Sequence, residues 1–117
     1  MPYRFGPAAR LRSRAEFTAV QDGGRRVPGR YLTLLGRPNT LGRDRLGIIA
    51  SKRVGGAVDR NRAKRRVREL FRQERGPAAG VVVFDLVVIV RSELVRAPFA
   101  AIAADFGAAL KKLRGTR

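Results

Sequence analysis

Residues 81–90, VVVFDLVVIV, constrain this chain more than any other segment. The run is far shorter than the roughly 20 apolar residues a membrane helix needs, and it carries Asp85 in its middle. It is dense in Val, whose branched side chain is stiff in a helix and suits a pleated surface. It therefore reads as a buried strand, and the remaining segments have to supply strands beside it and helices over it.

They do so in a simple order. Ser13 followed by Glu16 fits a capping box opening a helix that runs to about Asp22, where Gly23 and Gly24 stop it. Residues 30–36 alternate as a strand should, and 46–51 (LGIIAS) suit a second strand after the turn-rich PNTLGRD, with 25–28 as a short edge strand. Residues 58–75 form a second helix, with Asp59 as its N-cap and Gly76 and Pro77 as its breakers. A last helix begins at Pro98 and carries Phe99, Ile102, Ala103, Phe106, Ala109, Leu110 and Leu113 down one face. The strand ending near Ser51, the following helix and strand 81–90 make a βαβ-like unit with two parallel strands. The expected class is α+β, a small α/β sandwich ordered helix, strands, helix, strand, helix. At 117 residues, the whole chain is one domain.

Charge narrows the function. The chain has 22 Arg and 4 Lys against 9 acids, a net charge of +17 at pH 7, most of it before residue 76. Such a chain seeks polyanions, and its preference for guanidinium, which grips phosphate with two hydrogen bonds and stacks on bases, points to nucleic acid. Neither Cys nor His is present, so disulfides, thiolate metal sites, thiol nucleophiles and imidazole bases are excluded. No residue of the chain is assigned a catalytic or metal-binding role. No signal-peptide pattern opens the sequence, and a cytoplasmic protein is expected.

The chemistry concentrates in residues 51–75, SKRVGGAVDRNRAKRRVRELFRQER. At 100° per residue, Ala63, Val67, Leu70 and Phe71 share the side that meets the core. The opposite side gathers Asn61, Arg65, Arg68 and Arg72, flanked by Arg62 and Glu69. Like charges at i,i+4 cost roughly 0.2–0.5 kcal/mol per pair, and cations such as Arg60 and Arg62 at a helix N-terminus oppose the dipole. A face assembled at that cost suits phosphate better than water alone.

This run resembles the Arg-Asn-Arg signature of the protein subunit of bacterial ribonuclease P. Arg60, Asn61 and Arg62 match the triplet, and Lys64, Arg65, Arg66 and Arg68 follow in the basic helix. The similarity extends to RLRSRAEF, GRYLTLL and LGRDRLGIIASKRVG, nearly the whole chain. It implies a ribosomal-protein-like fold with a left-handed βαβ crossover, where spacing alone favours the right-handed one. It also implies a subunit that binds a catalytic RNA and the 5′ leader of precursor tRNA. The endonucleolytic removal of the leader is then carried by the RNA with Mg²⁺, which the RNA mainly holds. Two positions depart from the family pattern: Gln21 stands where a second aromatic follows Phe17, and Gly56 stands where Asn is usual.

The candidate RNA-binding set is therefore Arg60, Asn61, Arg62, Lys64, Arg65, Arg66, Arg68 and Arg72, with Lys52 and Arg53 just ahead of the helix. The candidate leader-binding set is Phe17 and Tyr31, which offer rings for stacking, with Arg12 and Arg14 at the first helix. The expected partners are the catalytic RNA and precursor tRNA, with no membrane and no small-molecule substrate. Gly55 and Gly56 lack any Walker or dinucleotide pattern. A structural ribosomal-type RNA-binding protein is the alternative. A DNA-binding or membrane-surface protein is disfavoured, since neither a second helix-turn-helix element nor a large apolar membrane face is evident.

Overall fold

The computed structural model describes residues 10–74 and 82–115. Their elements run α1 (Arg14–Gly23), β1 (Arg25–Pro28), β2 (Leu32–Asn39), β3 (Arg45–Ile49), α2 (Ala57–Gln73), β4 (Val83–Val90) and α3 (Phe99–Leu113). Short 3-10 turns at Lys52–Val54 and Ser92–Val95 precede α2 and α3. The breakers expected at Gly76 and Pro77 lie outside the described residues.

The four strands form one sheet in the order β1-β2-β4-β3. β2 is antiparallel to β1 and β4, and β3 is parallel to β4, so β3, α2 and β4 are the expected βαβ unit. The Val-rich strand β4 lies inside the sheet, and its alternate residues feed two cores. Leu86, Val88 and Val90 join Leu32, Leu34 and Leu46 under Ala63, Val67, Leu70 and Phe71 of α2 and Ile102, Phe106, Leu110 and Leu113 of α3. On the other face Val87 and Leu35 pack with Leu11 and Val20 beneath α1. The protein is thus an α+β sandwich with α1 on one side of the sheet and α2 and α3 on the other.

Three local outcomes differ from the sequence reading. Asp59 is not the N-cap of α2. Gly56 occupies that place without a side-chain bond, and Asp59 stands in the first turn, where a carboxylate favours the positive helix end and meets Arg96 Nη2 at 3.4 Å. Gly55, at φ 142°, makes the bend into the helix, and a Cβ there would lie 2.5 Å from the Asp59 carboxylate. Secondly, β2 runs on to Asn39, through a segment expected to be turn. Beyond Gly36 it has only β4 as neighbour, so Pro38, which has no N–H to donate, sits on an edge that tolerates it. Finally, neither 3-10 turn is evident from hydrophobic periodicity.

Candidate nucleic-acid interface

The site is built from α1, β3 and α2. The capping box forms as the sequence indicates: Ser13 Oγ accepts from the Glu16 N–H at 3.1 Å, and Glu16 Oε1 accepts from the Ser13 N–H at 3.1 Å and the Arg12 N–H at 2.6 Å. The other carboxylate oxygen accepts from Arg45 Nη1 at 2.9 Å. Arg45 in turn grips Asp85 with two bonds, Nε at 2.8 Å and Nη2 at 2.7 Å. The N–H donors of Arg12 and Ser13, with Arg45 adding to them, hold the Glu16 carboxyl down at about 2, and hydrogen bonding to Asp85 raises the pKa of Arg45. This chain of charges fastens the first turn of α1 to β3 and β4. No motif search would find it, because its members are separated by 29 and 40 residues.

Fastening Glu16 places Phe17 beside it. The Phe17 ring lies against Gly47 of β3, where a Cβ would come within 2.6 Å of its Cε2 and Cζ atoms. Past α1 the same sheet face continues one register step along as Ile49, Ile89 and Thr33, with both isoleucines only half-buried. The result is a half-exposed apolar surface next to the helix, carried by Ile49 and Ile89. Gln21, one turn beyond Phe17, is exposed and adds no ring.

At the β3 edge the two candidate sets meet. A cavity of about 150 Å³ is lined by Phe17, Leu11, Leu46, Gly47 and Ile48, and on its rim by Arg10, Lys64 and Arg68. Lys64 and Arg68 of α2 thus share one hollow with the aromatic residue of α1. Arg10 is missing from the sequence-derived set, since a lone arginine near the chain start carries no pattern; it is placed by a parallel bridge to Leu46.

The other candidates fall as follows. Asn61, Arg65, Arg68 and Arg72 are exposed on one side of α2, and Arg72 pairs with Glu69 at 3.5 Å. Arg65 and Arg68 make no ion pair among the described residues. Arg60 is half-buried, its Nε shielded and without a partner. Arg62 is exposed but gives its Nε to the Val95 carbonyl at 2.9 Å. Arg66 is turned inward onto the carbonyls of Leu94, Val95 and Ala97, and burial lowers its pKa, helped by the charge of Arg62. Lys52 and Arg53 are exposed in the 3-10 turn after β3 and are not among the residues lining the cavity. Arg12 and Arg14 are exposed at the start of α1.

Tyr31 is not brought to Phe17. It packs against the larger core, on the side of α2 and α3; its N–H donates to Asp105 at 2.8 Å, and Arg30 lies over its ring at 5.3 Å. Tyr31 stands one residue ahead of β2, and the bond to Asp105 of α3 holds it on the α3 side of the sheet, so its ring is not offered beside Phe17.

No helix of the described residues is long and apolar enough to cross a membrane. Residues 5–114 match the family model described as Ribonuclease P. A ribonuclease P protein component of Syntrophomonas wolfei is 34% identical over 104 residues, spanning 89% of this chain and 86% of that protein. The ribonuclease P protein structure from Staphylococcus aureus superposes with a TM-score of 0.76 at 28% identity, covering 89% of this chain and 94% of that one. The one from Thermotoga maritima does so with a TM-score of 0.72 at 33% identity, covering 92% and 97%.

Proposed function

The chain belongs to the Ribonuclease P protein family, whose work is tRNA 5′ processing together with an RNA, and from that premise we propose how its surface divides the task. The outward face of α2, with Asn61, Arg65 and Arg68, takes phosphates of the catalytic RNA. The half-exposed sheet face beside α1, with Ile49, Ile89 and Phe17, takes the unpaired 5′ leader of precursor tRNA, whose bases can stack without sequence preference. The carrying observation is the cavity at the β3 edge, where Lys64 and Arg68 stand on the rim of the same hollow as Phe17. A nucleotide with its base on the ring would have its phosphate near Arg10 and the α2 cations Lys64 and Arg68.

The protein's own part is binding and orientation. Among the described residues no cluster of three metal-ligating side chains occurs. The carboxylates of Glu16, Asp44, Asp85 and Asp105 are each taken up by arginine, amide or backbone N–H donors. A Mg²⁺ ion held mainly by the RNA would supply activation of the attacking water. Neutralising RNA charge near the leader lowers the concentration of Mg²⁺ the complex requires. The cytoplasm is the compartment in which such a subunit would meet its substrate.

The test is rescue: a bacterial ribonuclease P RNA is given precursor tRNA at Mg²⁺ too low for the RNA alone. Restored leader removal is expected with the protein, and none with rigorously RNA-free protein. Tight RNA binding without rescue would instead favour a structural RNA-binding role.

A further inference from the structure

Arg62 and Arg66 stand one turn apart on the flank of α2 that meets the 3-10 turn Ser92–Val95. Arg66 Nη1 donates to the Leu94 carbonyl at 3.0 Å and the Val95 carbonyl at 2.8 Å, and its Nη2 donates to Ala97 at 2.7 Å. The last carbonyls of a helical turn have no partners within it, and Arg66 supplies them. Its guanidinium also lies 6.0 Å from the Phe99 ring centroid at the start of α3. One side chain therefore ties α2 to both the turn and the helix that follows. Arg62 Nε reaches the same Val95 carbonyl at 2.9 Å, while the residue stays exposed.

Two guanidinium groups at i,i+4 repel, so bringing both onto one carbonyl needs compensation from oriented acceptors, which the end of the turn provides. An arginine anchored through Nε keeps its two terminal nitrogens as a preset fork, the shape that matches phosphate. A lysine in that place could offer only a point charge.

We propose that Arg66 is a positioning residue for RNA binding: it meets no phosphate itself but holds the Val95 carbonyl where that carbonyl aims Arg62 at the RNA. This rests on the reading of α2 as the RNA face. It separates two neighbouring arginines that the sequence presents as equivalent. Arg66 acts through Arg62, and the 3-10 turn, which lies outside the signature, becomes part of the binding machinery.

A double-mutant cycle tests it, with affinity for the catalytic RNA measured at fixed salt and Mg²⁺. Arg66→Met should lower affinity several-fold. In that background Arg62→Ala should cost at least about threefold less than in the wild type, because the fork is already misaimed, whereas Arg65→Ala should cost the same in both backgrounds within about twofold. If circular dichroism shows that Arg66→Met does not fold, Arg66→Lys, which keeps the charge but cannot serve all three carbonyls, takes its place under the same criteria. A normal loss for Arg65→Ala with purely additive Arg62 and Arg66 effects overturns the proposal alone. An Arg65→Ala variant of unchanged affinity overturns the RNA-face reading and the proposal with it.

Discussion

Gly47→Ala is the smallest change that should separate leader binding from folding. Gly47 has no positive φ, so alanine fits its backbone, and the whole effect comes from one methyl group. That methyl would lie 2.6 Å from Phe17 Cε2 and Cζ and 3.1 Å from Leu11 Cδ1. Comfortable carbon–carbon separations are about 3.5–4.0 Å, so the ring must retreat by about 1 Å. Overpacking a core costs typically 1–3 kcal/mol, but Phe17 is only half-buried and one direction of escape, the cavity, is open to it. The stability loss should thus be near 1 kcal/mol, the lower end. The functional loss follows from the same displacement: a ring pushed into the cavity no longer offers its face to a base. Since stacking is worth about 1–3 kcal/mol per base and Gln21 supplies no second ring, affinity for precursor tRNA should fall by about 1 kcal/mol, roughly fivefold. Mature tRNA, which has no leader, should bind as before. The assay is the ratio of holoenzyme affinities for precursor and mature tRNA at fixed salt and Mg²⁺, alongside thermal unfolding. Adding Phe17→Ala to Gly47→Ala should remove the clash and cost little further leader affinity. Equal losses for both RNAs, or destabilisation with an unchanged ratio, would show that the leader does not use this ring.

Replacing Arg65 and Arg68 together by Ala should leave circular dichroism native and reduce the slope of log K against log salt by roughly 0.7–0.9 for each phosphate no longer neutralised; an unchanged slope would remove these residues from the interface. The Glu16 carboxyl is held down at about 2 from an ordinary 4.5, so its stabilisation is complete above pH 4.5 and disappears as pH falls towards 2. The stability difference between wild type and Glu16→Gln should therefore be constant above pH 5 and shrink below 4.5, and a difference independent of pH down to 2 would contradict the bonding at the start of α1. Gly56→Asn should fold normally and gain at most a few tenths of a kcal/mol as a better N-cap, because a Cβ at Gly56 meets nothing within 4 Å; a marked loss of thermal stability would mean that the loop before α2 has no room for a side chain.

Local rules carried much of the fold. The capping box at Ser13 and Glu16, the stop at Gly23 and Gly24, and the edge strand at 25–28 each depend on residues within a few positions of one another, and each stands where the sequence places it. The parallel pairing of β3 with β4 followed from connection length. What local rules miss is set by distant partners. Asp59 looked like a cap because its residue type suits one, yet Gly55 bends the chain and the helix begins earlier. β2 passes through Pro38 because β1 ends before reaching it, which depends on how the strands line up.

For the site, residue type was legible and side-chain direction was not. Helical periodicity separates the core side of α2 from its outer side, and Arg65 and Arg68 are exposed as expected. It cannot say what flanking residues meet, because that depends on the turn at Ser92–Val95, some 30 positions away. Of the seven cationic side chains in α2, Arg66 is committed to carbonyls, Arg62 is half-committed, and Arg72 has Glu69 beside it. A charge count therefore overstates how many phosphates this helix can neutralise, and Arg66, committed to three carbonyls, removes about 0.7–0.9 from the salt slope the count would suggest. Conversely, Arg10, absent from the set read off the sequence, is carried by its bridge to Leu46 into the same hollow as Lys64 and Phe17. Affinity in such a protein is governed less by net charge than by where the fold aims each guanidinium group, and that is decided by backbone carbonyls whose positions only the tertiary structure fixes.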